Sequence, residues 1–235
     1  MLIFLDLETT GVGADDEICA LSFICENQLH SSLLKPSKKL KPSAMAIHNI
    51  TNEMLCDKAI FRKSEIYQKL SDLNVKTNTI VVHNAEFMMM MLDSSGLTWQ
   101  GEVLDTKRVS MHLIEELDSY ELQYLRYELK LYKEESQRAE LFNIFLQAHH
   151  SDSDVIHIEL LYHYLLDLSS IEELIKLSEK KVLYKKMPFG KYKDQYIDEI
   201  LLMDANYLHW VLHNMEELNA DLSSTLEYYL NESSY

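Results

Sequence analysis

The first third of the chain alternates short apolar runs with acidic or turn residues, and most of the remainder carries apolar residues at helical period. Residues 2–8 read as a buried strand, and 17–25 and 28–34 as two more, so the pattern predicts a three-stranded start. Pro42-Ser43 opens a helix containing Ala44, Met45 and Ile47, and residues 49–57 add a short helical turn. Residues 64–73 form an amphipathic stretch. Residues 78–82 then read as a short apolar strand that delivers His83 and Asn84 to its end, with a helix over 85–95. Leu104-Asp105-Thr106 ends another strand, and a helix follows it. Residues 120–131 and 137–147 are helical by period, and 151–168 is the strongest amphipathic stretch. Ser170-Ile171-Glu172-Glu173 is a capping box opening one more helix. No internal repeat occurs, and only five Gly and three Pro punctuate the chain, which suits a helix-rich α/β protein. Near residue 182 Tyr, Lys, Phe and the third Pro cluster, so the expected organisation is a main domain over 1–170, a helical linker over 171–181 and a small C-terminal module over 182–235.

At 235 residues the chain can bury one full core and a small second module. No run approaches the roughly 20 apolar residues of a membrane span. The apolar start, Met1 to Leu5, lacks a basic lead-in and runs into Asp6 and Glu8, unlike a signal peptide. Cys19, Cys25 and Cys56 form no close pair, so neither a disulfide framework nor a zinc site is expected, and a reducing cytoplasm fits. A net charge of −16 argues against wrapping nucleic acid over a large surface. The basic residues cluster, however: residues 35–41 hold four Lys and no acid, and 176–193 hold seven Lys and one Glu. Two basic islands on an acidic body suit guidance of a phosphate chain to a small site, although lysine runs also serve as solvated loops and helix ends.

Three segments carry candidate chemistry. Asp6 and Glu8 stand two apart in a strand, so both point to one face, as two carboxylates sharing adjacent hard cations require. Gly11 permits a tight turn after them, and Thr9 and Thr10 offer hydroxyls and N–H groups to a phosphate. His149-His150-Ser151-Asp152-Ser153-Asp154 opens the amphipathic helix; Ser151 with Asp154 also fits a capping box, and Asp152 is an auxiliary ligand candidate. Between these lies His83-Asn84-Ala85-Glu86-Phe87, followed by four Met residues whose flexible apolar side chains suit core packing.

In this order, Asp6-Leu7-Glu8-Thr9-Thr10-Gly11, His83-Asn84-Ala85-x-Phe87 and His149 to Asp154 resemble the three motifs of the DEDDh 3′→5′ exonucleases of the ribonuclease H-like superfamily. The likeness extends to Ser43–Thr51, to Phe189-Gly190-Lys191-Tyr192-Lys193 and to Asp204-x-x-Tyr207-Leu208-x-Trp210, as in the exodeoxyribonuclease X-like branch, and is patchy over 100–147. It implies an α/β fold, a ribonuclease H-like mixed sheet flanked by helices, with the exonuclease domain over 1–170 and a helical C-terminal module. It implies two Mg²⁺ or Mn²⁺ ions, with Asp6 bridging both and Glu8 and Asp154 completing the first site. His149 becomes the general base, His48 and Phe87 flank the terminal nucleotide, and Thr9 lies near its sugar-phosphate. The products are nucleoside 5′-monophosphates from a DNA 3′ end, single-stranded for preference.

Where the family's second motif has an Asp directly after the Phe, this chain has Met88. Leu92, five residues after Phe87, fixes the register, and Asp93 lies about 500° round the helix from Met88 and faces away. A neutral thioether does not replace a carboxylate on Mg²⁺. The replacement therefore implies a weakened exonuclease with a depleted second metal site, or alternatively an inactive pseudo-nuclease that binds DNA ends or a polymerase or repair partner. In the tail, Lys191 and Lys193 among aromatics resemble a single-strand binding surface, with Trp210 expected in the module's core.

Overall fold

The apolar run after Met1 forms strand β1 (Leu2–Thr9), the middle of a five-stranded sheet. The computed structural model describes residues 1–13, 15–114, 117–215 and 218–232. β2 (Ile18–Cys25) and β3 (Gln28–Leu33) follow as an antiparallel meander. After helices α1 (Pro42–His48), α2 (Asn52–Leu55) and α3 (Glu65–Leu73) comes β4 (Thr79–Val82), which lies parallel to β1. Helix α4 (Ala85–Ser94) leads to β5 (Glu102–Asp105), parallel to β4, which gives the order β3-β2-β1-β4-β5. α5 (Thr106–Leu113), α6 (Leu122–Glu128), α7 (Glu135–Phe142), α8 (Ser151–Leu168) and α9 (Ile171–Glu179) complete the first compact unit, Met1–Ser178.

Side chains alternate across a strand, and this alternation builds two cores. Ile3, Leu5 and Leu7 of β1 pack with Leu70 of α3 and with Met88, Met91 and Leu92 of α4. Phe4, Ile24, Val81 and Leu104 pack with Val155, Ile158, Leu161 and Leu165 of α8 on the other face. By the same period Asp6 and Glu8 share the Phe4 face, the one that α8 covers. α8 is not a simple amphipathic helix: its first half, from Ser153 to Glu159, is buried without interruption. Several neighbours close on it there, so polar residues at that end must find partners inside the protein.

The expected helix over 137–147 is shorter and earlier. α7 begins at Glu135 and stops where Asn143 turns left-handed (φ 53°), with the Ile144 N–H bonding the Ala139 carbonyl at 3.1 Å. Likewise the stretch 120–131 breaks at Lys130 (φ 61°), and a 3₁₀ turn over Leu131–Lys133 follows. The expected helical linker over 171–181 begins as α9, whose Leu174 and Leu177 are buried in the α8-side core.

The second compact unit spans Glu179–Tyr235, and its residues 233–235 lie outside the described ones. α10 (Ile197–Asn214) and α11 (Ala220–Glu232) pack around Met187, Ile197, Ile200, Leu208, Val211, Leu222 and Leu226. α10 is kinked at Asp204 (φ −152°, ψ 61°). The Asp204 carboxylate takes hydrogen bonds from the Tyr192 hydroxyl at 2.9 Å and Lys191 Nζ at 3.2 Å, which ties down the Gly190–Tyr192 turn. Gly190 (φ 76°) has no room for a side chain against the Tyr207 hydroxyl. Trp210 is not in this core: it is 55 % exposed and stacks on Tyr207. Two residues on from buried Leu208, it stands about 200° round the helix.

Candidate metal centre

Asp6 and Glu8 project from β1 toward the start of α8, where Asp154 occupies the first turn. One carboxylate oxygen from each of the three lies within 4.8 Å of the others. Asp6 and Asp154 are buried, and Glu8 is partly so. Burial, then the charges of Glu8 and Asp154, push Asp6 well above the usual carboxylate range. Glu8 is pushed up to about 9 by burial, then by Asp154 and Asp152. The charged groups acting on Asp6 and Glu8 are all carboxylates, and the hydrogen bond from the Leu7 backbone to Asp6 offsets only part of their effect. Three convergent oxygen donors with their charge unbalanced are the donor set a hard divalent cation takes.

The start of α8 is fixed without the expected capping box. His150 is the N-cap and makes no side-chain cap. Ser151 instead shares a buried 2.8 Å hydrogen bond with Ser22 of β2, the strand residue paired with Asp6. Ser153 Oγ accepts from the Gln147 N–H at 3.0 Å, and Asp154 Oδ2 from the His149 N–H at 3.1 Å. His149 is exposed and left-handed (φ 58°), on the loop that leads into the helix. Asp152 acts on Glu8 through its charge but stands outside the group of three.

The second motif sits at the end of β4. His83 is buried, with Nε2 2.9 Å from the Tyr120 carbonyl and Nδ1 2.9 Å from Thr106 Oγ1. Burial dominates its surroundings and lowers its pKa to about 4, so the ring is neutral at pH 7. Asn84 is left-handed (φ 72°), and its N–H and that of Ala85 donate to the two oxygens of Asp105 at 3.1 and 2.9 Å. Asp105 also caps α5 through the Lys107 and Arg108 N–H groups. Its position at a strand end before a helix is an N-cap signal that sequence reading left unused. Phe87 is half-buried against the α4-side core. Met88, 7 % exposed, packs into that same core. Asp93 accepts from the Thr98 hydroxyl, away from the carboxylates.

Thr9 is buried, and its hydroxyl donates to the Gly11 carbonyl at 2.6 Å. His48 is the last residue of α1. It is 2 % exposed, its Nδ1 accepts the Ile50 N–H at 3.0 Å and its Nε2 stands 3.9 Å from the Cys19 thiol. It braces α1 against β2. Lys191 and Lys193 belong to the second unit; Lys191 is engaged with Asp204 and Lys193 is exposed.

A mixed five-stranded sheet of this order flanked by helices has the ribonuclease H-like fold. The exonuclease family model matches residues 3–157, and the chain belongs to that family. It is 25 % identical to exodeoxyribonuclease 10 of Escherichia coli K12 over 236 residues, 98 % of this chain and 99 % of that one. Among solved structures, exonuclease X in complex with 5′-overhanging duplex DNA matches with a TM-score of 0.58, 22 % identity and coverage of 76 % of this chain and 99 % of that one. The nuclease domain of 3′hExo, a DEDDh family member bound to rAMP, matches with a TM-score of 0.52, 13 % identity and coverage of 71 % and 91 %.

Proposed function

We propose that the protein is a divalent-metal-dependent 3′→5′ exonuclease acting on DNA, with activity reduced by Met88. The carrying observation is the convergence of Asp6, Glu8 and Asp154 within 4.8 Å on one side of the sheet. Asp6, Glu8 and Asp154 hold the metal, Mg²⁺ or Mn²⁺. Bound, the metal lowers the pKa of an attacking water and steadies the leaving oxygen. His149, exposed on its loop, takes the water's proton as general base. Phe87 packs against the terminal base and Thr9 lies near its sugar-phosphate. Preference for DNA is supported by the full-length likeness to exodeoxyribonuclease 10. Lys193, exposed in the second unit, contacts a DNA phosphate. Met88 adds no oxygen ligand, which favours a slow enzyme and supports a second reading, an inactive end-binding relative.

The test is to follow single-stranded DNA labelled at either end, with and without a 3′-phosphate block. Early release of nucleoside 5′-monophosphate from the 3′-labelled strand alone, abolished by the block, is expected. Release that starts from the 5′ end, or internal cuts, overturns the assignment. Binding of 3′ ends without release selects the second reading.

A further inference from the structure

Behind Asp154 runs a closed ring of side chains from three helices. Gln123 Nε2 donates to Asp154 Oδ1 at 2.6 Å, and Arg126 Nη1 donates to Gln123 Oε1 at 3.1 Å. Arg126 grips both oxygens of Glu135 at 2.6 Å through Nε and Nη2. Glu135 Oε2 faces His157 Nε2 at 3.0 Å, and His157 Nδ1 returns to Asp154 Oδ1 at 3.2 Å. The His157 side chain is 0 % exposed, Glu135 and Asp154 9 % and Arg126 13 %.

The ring has a direction. Arginine only donates, so the Gln123 oxygen must face Arg126 and its NH₂ must face Asp154. The bidentate Arg126–Glu135 pair leaves neither partner free to rotate. Asp154 Oδ2 is held separately by the His149 N–H. Both carboxylate oxygens are thus oriented from behind, with two partners on Oδ1 and one on Oδ2.

We propose that Gln123, Arg126, Glu135 and His157 are positioning residues that preset Asp154 for the metal. The proposal rests on the metal reading of Asp6, Glu8 and Asp154. A second buried pair provides the contrast: Arg138 binds Glu159 through two hydrogen bonds of 2.9 and 2.5 Å, joining α7 to α8 without touching Asp154. A purely structural ring would behave as that pair does.

The test is Mn²⁺ binding by calorimetry on the full chain, with thermal melts in EDTA beside it. Gln123→Met keeps the volume at a half-exposed site and removes only the amide; Glu135→Gln is a second, isosteric break in the ring. Each is expected to weaken Mn²⁺ binding by ~10–100-fold, the range for loss of an outer-shell partner. Arg138→Lys is expected to lower the melting temperature and leave Mn²⁺ affinity unchanged. Asp6→Asn is expected to abolish binding. If Asp6→Asn abolishes it and both ring variants bind as wild type does, the positioning role is overturned and the metal reading stands. If Asp6→Asn binds as wild type does, or wild type binds none, the metal reading fails and the proposal with it.

Discussion

Glu8→Gln offers a sharp test of the electrostatics at the carboxylate cluster. Glu8 titrates near 9 in the folded protein against 4.5 for an ordinary glutamate, chiefly through burial. Between those values the native state holds a proton that the unfolded chain does not. Metal-free stability therefore falls as pH rises across that window, and the contribution is lost once pH passes the folded value. At pH 7 folding of the wild type must already take up a proton that the unfolded chain has lost, so Glu8→Gln, its neutral isostere, is the more stable protein there, and the gap widens toward pH 9. At pH 9 the wild type must ionise Glu8 against Asp154 and Asp152. Two pH units set a ceiling of about 2.7 kcal/mol at 1.36 kcal/mol per unit. Partial exposure of Glu8 lets water and salt screen the repulsion, which leaves about 1–2 kcal/mol. For a chain of this size that is about 3–6 °C in melting temperature. Melts of both proteins in EDTA at pH 7 and pH 9 read the difference directly. Wild type is expected to lose those degrees relative to Glu8→Gln, and Mn²⁺ is expected to restore wild type alone. Parallel pH profiles for the two proteins would refute the reasoning.

Three further outcomes follow from particular contacts. Thr106→Val removes the hydroxyl that faces His83 Nδ1 and bonds the Val82 carbonyl, leaving buried polar atoms unpaired; chemical denaturation is expected to show a loss of about 1–3 kcal/mol. Leu161→Ala empties a fully buried site between α8 and the sheet and is expected to cost about 2–5 kcal/mol by the same assay. Lys193→Ala is expected to weaken DNA binding and to reduce the salt slope of log K by about 1, read by fluorescence anisotropy across a salt series. An unchanged slope would remove Lys193 from the DNA path.

The central strand and its two carboxylates were legible because strand period is local: residues two apart share a face whatever follows. The starts of α3, α4 and α8 and the cap at Ser170 were legible because helix period and cap residues are local signals too. Helix ends were harder, since α7 and the stretch after α6 stop at Asn143 and Lys130, left-handed residues that are not glycine. The ring behind Asp154 had no sequence signal. Gln123 and Arg126 share a face of α6, but they meet Glu135 and His157 only after three helices pack. Trp210 was misplaced because its neighbours Leu208 and Val211, rather than itself, carry the buried phase of α10.

The most direct measurement is mononucleotide release from 3′-labelled single-stranded DNA by wild type, Asp6→Ala and Met88→Asp, each with Mg²⁺ and with Mn²⁺. A carboxylate-held metal centre lacking one acid requires slow metal-dependent release by wild type, none by Asp6→Ala, and release faster by about 10-fold or more with Met88→Asp. Equal release by wild type and Asp6→Ala, or no gain from a Met88→Asp protein that melts as wild type does, would contradict it.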